Sequence, residues 1–332
     1  MFKNKKILIT GGSGSLGQAL TERLLKSEVD TIRIFSRNEH KQILMQEKFQ
    51  DERLRFLIGD TRDLSRLVRA MEDIDIVFHA AALKHVPVVE YNPFEAIKTN
   101  VIGSQNVIDA CLQANVDVAV GVSTDKAVSP LNTYGATKLI MEKLFATAQN
   151  YLNQEKYRTK FLAVRYGNVM GSSGSVIPKF IEQIKAKKKI TVTDSNMTRF
   201  NIMMNEALDF ILDSVKVAKG QEIFVPRSLK AYSIMDLKET LNELIGDTGY
   251  EMISIRPGEK IHETLINSDE MRNTWHDKSK YVIFSNSMTE EEIKSKHPEM
   301  EKIDSMVPYS SDNAEKISKD ELKEIIKKSG LL

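Results

Sequence analysis

The sequence predicts an α/β fold built on a doubly wound parallel sheet, with a smaller discontinuous lobe. Three observations predict it: β-branched runs alternate with helical patterns through the first half, a glycine-rich turn follows the first run, and the alternation loosens after Gly171. In order, KKILIT precedes SLGQALTERLLKSE, TIRIFS precedes EHKQILMQEKF, LRFLIG precedes LSRLVRAME, and DIVFHAA precedes PFEAIKTNVIGSQNVIDACLQA. VAVGVST, a helix from Tyr134 to Tyr151 and FLAVRYGNV continue the series. Beyond Gly171 come a polar loop, a helix from Val176, the strand ITVTD and the segment EMISIRPGEK, while EALDFILDSVKVA and EIFVP return to the sheet. Residues 1–170, with 201–225 returning, are therefore expected in the sheet domain, and 171–200 with 226–332 in the second lobe and tail. Ser318 and Glu321 form a capping-box pattern that predicts an ordered last helix. No internal repeat is visible.

A chain of 332 residues with 41% hydrophobic content can bury a substantial core. The 47 basic and 46 acidic residues leave a net charge of +1, so neither nucleic acid nor an anionic membrane is an expected partner. The single cysteine, Cys111, lies in the apolar helical pattern VIDACLQ and reads as core. Apolar stretches fall short of the ~18 residues of a membrane helix, and Lys3, Lys5 and Lys6 precede only a short apolar run, so the chain is expected in the cytoplasm. His79 and His85 flank AAALK without metal-ligand spacing; no metal is expected, and His79 reads as a packed, hydrogen-bonded residue.

Gly12, Gly14 and Gly17 form G-x-G-x-x-G between the first strand and a helix, the setting of a Rossmann-type dinucleotide site. Missing side chains admit the pyrophosphate, and the helix start offers N–H groups to it, so Ser13, Ser15 and Leu16 join the expected contacts. The second strand ends in Ser36 and Arg37 rather than an acid, with Lys41 one turn on, which suits the 2′-phosphate of NADP; Arg37 can equally be an ordinary surface charge. Asp60, ending the third strand, is placed to meet the adenine amino group.

Tyr134 and Lys138 stand four apart at a helix start and share a face. An ammonium beside a phenol lowers its pKa, so Tyr134 can take a hydroxyl proton as hydride leaves for a nicotinamide. The preceding strand ends in Ser123, Thr124, Asp125 and Lys126, at the sheet edge where ligands bind. Asp125 and Lys126 can provide the acid and base that elimination of water requires, or form a solvated ion pair.

Taken together, TGGSGSLG, HAAALKHVP, EYNPFEAIKTNV, STDKAVSPLNTYGATK, RYGNVMGSSGSVIP, MTRF, IRPGEK and PYSSDN resemble the UDP-N-acetylglucosamine 4,6-dehydratases, inverting type, of the extended short-chain dehydrogenase/reductases. The resemblance implies that the smaller lobe binds substrate, with Asp125 the acid toward the C6 hydroxyl, Lys126 the base at C5, and Tyr134 with Lys138 the redox pair. It implies cofactor contacts from Thr61, Ala80, Ala81, Ala82, Lys84 and Asn100, and sugar contacts from Lys84, Thr124, Tyr134 and Asn168. Arg199, Arg256 and Glu259 would hold the UDP portion, unless the arginines form structural ion pairs. Two positions depart from the family pattern: Ser173 replaces an arginine and Asn201 a tryptophan, which leaves substrate detail open. Relatives that retain C5 configuration are longer, with membrane helices ahead of the catalytic domain, so inversion to an L-arabino product is expected. A homo-oligomer, up to a hexamer, and a role in surface glycan or nonulosonic acid biosynthesis are also implied. The competing readings are a UDP-sugar 4-epimerase and a catalytically silent NADP-binding regulator.

Overall fold

The computed structural model describes residues 1–153, 155–171 and 175–332. The first half runs β1 (Lys6–Thr10), α1 (Ser15–Leu25), β2 (Thr31–Ser36), α2 (Glu39–Phe49), β3 (Leu54–Ile58), α3 (Leu64–Met71) and β4 (Ile76–His79). It continues with α4 (Val86–Tyr91), α5 (Pro93–Ala96), a π-helical segment (Ile97–Ile102), α6 (Gly103–Gln113), β5 (Val118–Val122), α7 (Thr133–Thr147) and β6 (Lys160–Val164). The expected single helix after Pro93 is thus interrupted by a π turn, and α7 ends in a 3₁₀ turn over Ala148–Tyr151.

The remainder comprises β7 (Asn168–Val169), α8 (Val176–Lys185), β8 (Ile190–Val192), β9 (Thr198–Ile202), α9 (Met204–Val217), β10 (Glu222–Pro226), β11 (Ala231–Ser233) and α10 (Ile234–Ile245). It ends with β12 (Tyr250–Met252), β13 (Thr264–Ile266), α11 (Ser268–Met271), β14 (Thr274–His276), β15 (Lys280–Phe284), α12 (Glu290–Lys296), β16 (Glu301–Lys302), β17 (Tyr309–Ser310) and α13 (Lys319–Lys328).

Seven strands are parallel in the order β3-β2-β1-β4-β5-β6-β10, and β15, β14 and β16 extend the β10 edge in antiparallel pairing. Along β1, Ile7 and Ile9 enter one apolar cluster with Leu20 and Leu24 of α1, while Leu8 enters the other with Leu67 of α3 and Val107 of α6. Both faces are covered by helices, as an all-buried parallel sheet requires. Successive strands are added on one side from β1 to β3 and on the other from β4 onward, and this switch in winding order between the parallel β1 and β4 opens a crevice at their C-terminal ends.

The second lobe has its own core, where Ile177 and Phe180 of α8 meet Leu237 and Leu241 of α10 and Leu322 and Ile326 of α13. Segment 226–332 divides between the layers: β11, β12, α10 and α13 build the lobe, whereas β14, β15 and β16 complete the main sheet. Trp275 and Val282 carry buried apolar side chains into the main core, which explains why this stretch left the lobe. The last helix is ordered as expected, with Ser318 Oγ accepting from the Glu321 N–H at 3.2 Å. The Glu321 carboxylate turns instead to Lys230, at 3.1 Å. Cys111 is buried in the core, and burial raises its thiol pKa.

Candidate active site

The crevice continues into a cavity of about 780 Å³, walled at one end by the Gly11–Gly17 turn and at the other by Arg256–Glu263. That size falls in the range of ligand sites. At the first end, α1 starts after Gly14 with no side-chain cap, leaving the helix terminus to an anion. A Cβ on Gly17 would lie 2.4 Å from the Gly12 carbonyl oxygen, so only glycine lets the helix seat on the turn. Ser13, Gly14, Ser15, Leu16 and Gly17 line the wall, with Gly12 supporting them against Ile34 of β2.

Ser36, Arg37 and Lys41 line the adjoining wall. The Ser36 hydroxyl accepts from Ser13 Oγ and from Gln42 Nε2, each at 2.9 Å, so Gln42, unremarked in the sequence, holds this corner. Asp60 is also in the wall, but its carboxylate accepts from Arg62 at 2.7 and 3.0 Å and stands 4.0 Å from Arg37. Burial raises the Asp60 pKa, but Arg62 and Arg37 outweigh it and hold the carboxyl below its usual range.

Thr61, Ala80, Ala81, Ala82 and Lys84 complete this half of the cavity. Asn100 does not line it. Placed on the π turn, its Oδ1 accepts from Leu83 N at 2.8 Å and its Nδ2 donates to Leu83 O at 2.9 Å and Thr137 Oγ1 at 3.0 Å. The amide therefore braces the Ala82–Lys84 loop against α7. The π turn instead presents Thr99 to the wall, where its buried hydroxyl has no hydrogen-bond partner. His79 is packed beneath, bonded to Thr10 Oγ1 at 2.8 Å and Ser104 Oγ at 2.9 Å. Burial and nearby Lys138 lower its pKa to about 3, so the ring is neutral.

The floor is formed where β5 meets α7. Asn132 caps α7 through Gly135 N at 2.8 Å and donates Nδ2 to Gly258 O at 2.9 Å, tying the tyrosine-bearing helix to the RPGEK loop. A Cβ on Gly135 would fall 2.1 Å from the Lys126 carbonyl oxygen, so this glycine lets the first turn of α7 touch the Asp125–Ala127 3₁₀ turn. Tyr134 and Lys138 both line the cavity. Burial drops the Lys138 pKa to about 8 against the opposing charge of Glu142. The Tyr134 phenol is pushed up to about 12 by burial and Asp125, with Lys126 and Thr124 pulling it down. The expected lowering of the phenol is thus offset, because desolvation of the phenolate exceeds the cationic stabilisation.

Thr124, Lys126 and Asn168 also line the cavity, but Asp125 lies fully buried behind them. Asp125 Oδ1 accepts from Thr124 Oγ1 at 2.9 Å and Lys126 Nζ at 3.0 Å; Oδ2 has no partner. Lys126 Nζ also reaches Asn168 Oδ1 at 3.2 Å and Glu263 Oε1 at 3.2 Å. Burial lowers the Lys126 pKa, but the two carboxylates outweigh it and hold the group protonated. A solvated ion pair is therefore not what the chain builds.

At the far end, Arg199 donates to the backbone carbonyls of Thr198, Lys260 and Ile261 at 2.7 to 2.9 Å and lies 3.8 Å from Glu259. The structural ion-pair reading fits this residue in part, since the guanidinium fastens the 260–261 backbone while still facing the cavity. Arg256 is exposed at the mouth, and Glu259 lines the wall near Arg199. Asn201 pairs in register with Asn168 and is not a wall residue; Ser173 lies outside the described residues. Sequence reasoning missed Glu263, Lys260 and Asn132, although all three fall within or next to motifs it quoted.

The family model for polysaccharide biosynthesis proteins matches residues 7–285. The chain is 43% identical over 320 residues, 94% of each sequence, to the UDP-N-acetylglucosamine 4,6-dehydratase (inverting) of Campylobacter jejuni. It is 39% identical to the UDP-glucose 4-epimerase of Rickettsia felis, covering 98% of this chain and 96% of that one. The crystal structure of Pen from Bacillus thuringiensis superposes with a TM-score of 0.92 at 41% identity, covering all of both chains. Motifs, sheet order and these likenesses agree: the chain belongs to the polysaccharide biosynthesis family within the extended short-chain dehydrogenase/reductases, alongside the inverting UDP-N-acetylglucosamine 4,6-dehydratases.

Proposed function

We propose that the chain is an NADP-dependent hydro-lyase that converts UDP-N-acetylglucosamine to a UDP-2-acetamido-2,6-dideoxy-hexos-4-ulose with inversion at C5. The observation that supports it most is the contact between α7, which carries Tyr134 and Lys138, and the turn that carries Asp125 and Lys126, beside one cavity. The cradle free of Cβ atoms and the unpartnered Thr99 hydroxyl fit a dinucleotide, and Ser36, Arg37 and Lys41 fit the 2′-phosphate of NADP. When bound, NADP supplies reversible hydride transfer.

Tyr134 takes the C4 hydroxyl proton, with the Lys138 charge favouring the phenolate. Lys126 can act at C5 once it has passed a proton to Asp125 Oδ1, 3.0 Å away. That transfer yields a neutral amine for the C5 proton and an undissociated carboxyl for the C6 hydroxyl. Burial of Asp125, which raises its pKa, lessens the cost of drawing that proton from a lysine that the two carboxylates hold charged. Thr124, Asn168 and Lys84 meet the sugar, and Arg199, Arg256 and Glu259 surround the diphosphate end.

Likeness to an epimerase keeps simple inversion at C4 as the competing reaction. Incubation of the purified chain with UDP-N-acetylglucosamine in deuterated water decides between them. Dehydration gives a product lighter by one water, with one solvent deuteron at C5 and L-arabino ring couplings. Unchanged mass with altered C4 configuration would replace the dehydratase reading by the epimerase one, no turnover would favour the silent regulator, and NAD released from the purified chain would overturn the NADP assignment.

A further inference from the structure

Lys126 faces two carboxylates, of which Asp125 is the acid of the proposed elimination. The second, Glu263, follows the RPGEK loop, is 3% exposed, and belongs to the cavity wall. Its Oε1 lies 3.2 Å from Lys126 Nζ and 4.0 Å from Arg199 Nε, and its Oε2 is buried with no hydrogen-bond partner. Its backbone is fixed from a distant part of the chain: Glu263 N donates to Ser311 Oγ at 2.9 Å, and Glu263 O accepts from Ser311 N at 2.8 Å. Ser311 is in turn joined to Thr198 Oγ1 at 2.7 Å, beside Arg199. The end motif PYSSDN therefore serves to hold one carboxylate in place.

We propose that Glu263 is a positioning residue for the Asp125/Lys126 pair: it fixes the lysine ammonium between two carboxylates and keeps a proton within that pair through the catalytic cycle. The proposal rests on the dehydratase reading for its role in turnover, but not for its electrostatics. A second negative charge beside Asp125 and Lys126 makes loss of a proton harder for both groups. The other ionisable groups facing the cluster are Lys84, Tyr134, Arg199, Tyr232 and Lys260. Burial raises both carboxyls, but Lys126, Arg199 and Lys260 keep Glu263 below its usual range, while Glu263 helps to hold Asp125 above its own. The two carboxylates thus differ in role: Glu263 stays ionised and Asp125 can carry the proton.

The test uses the full chain. Carbon-13 NMR titration of the Asp125 carboxyl should show its midpoint falling by about one pH unit in Glu263→Gln, as expected for loss of a close like charge. The pH profile of dehydration should shift acidward by a similar amount, kcat should fall at least tenfold with KM little changed, and Glu263→Asp should restore much of the wild-type profile. If Glu263→Gln does not fold, Ser311→Ala, which releases the Glu263 backbone, should shift the Asp125 midpoint in the same direction by less. A folded variant with an unchanged Asp125 midpoint and a pH profile of unaltered shape would overturn the proposal. Should the wild type remove no water from UDP-N-acetylglucosamine, the functional reading fails while the NMR titration still decides the role of Glu263.

Discussion

Among the described residues, two buried clusters share one plan, a cation between two carboxylates, and they are finished differently. In the first, Arg165 of β6 meets Glu142 of α7 and Glu270 of α11: its Nε and both terminal nitrogens donate to Glu142 at 2.6 and 2.9 Å, to Glu270 at 2.8 and 2.9 Å, and to Leu265 O at 2.8 Å. Every carboxylate oxygen is engaged. In the second, Lys126 sits between Asp125 and Glu263, and one oxygen of each carboxylate has no partner. Leaving buried polar atoms unmatched costs on the order of 1–3 kcal/mol each, and more when charged. A closed cluster anchors an element; an open one holds capacity for a ligand or a proton.

The comparison breaks most visibly under Arg165→Met. Removing the cation strands two buried carboxylates, and urea unfolding should show a loss of about 3–5 kcal/mol. Adding Glu142→Leu and Glu270→Met should return most of it, since a well-packed apolar replacement of a buried ion cluster is often neutral. If Arg165→Met cost nothing, the closed cluster would not be the anchor of α7.

In the open cluster, the expected damage is to turnover. Asp125→Asn should leave the urea midpoint nearly unchanged and lower dehydration by about 10²-fold, while single-turnover oxidation, followed by nicotinamide absorbance, continues. Tyr134→Phe should block that oxidation as well. An Asp125→Asn protein that dehydrates normally would remove Asp125 from the chemistry.

The first strand, glycine turn and helix were legible because their signals lie within a dozen residues, and Tyr134 with Lys138 because one helical face records them. Asp125 and Lys126 were legible as neighbours at a strand end. Their third member was not: Glu263 stands 137 positions beyond Lys126, and its anchor Ser311 48 further on, so only folding joins them. The same holds for Arg165, which is 105 positions from Glu270. Asn100 was assigned to the cofactor by family resemblance, but the π turn presents Thr99 to the wall instead.

A smaller effect follows from Lys138, whose pKa near 8 means its positive charge is lost as pH rises through that value. The oxidation step should therefore show an alkaline limb near pH 8, and Lys138→Arg should move that limb to higher pH even with a reduced maximum. A limb unmoved by the arginine would belong to another group.

The smallest concerns His79. Its folded pKa of about 3 lies below the unfolded value of 6.5, so the unfolded chain binds the extra proton between these limits. Its contribution to stability is full above pH 6.5 and fades as pH falls toward 3. Urea midpoints measured from pH 7 to pH 5 should decline less steeply in His79→Gln than in the wild type; equal slopes would place the titration elsewhere.

The missing side chain at Gly135 sets how far apart the Tyr134 helix and the Asp125–Ala127 turn stand. With the Lys126 carbonyl only 2.1 Å from where a Cβ would be, a methyl group there is a wedge driven between the helix that carries Tyr134 and Lys138 and the turn that carries Asp125 and Lys126. On the proposed mechanism, such a wedge would leave each set of reactive groups whole and move them apart, taking an intermediate oxidised at one station out of reach of the next. On that mechanism, one unbroken passage from oxidation to elimination depends on an atom that Gly135 does not have.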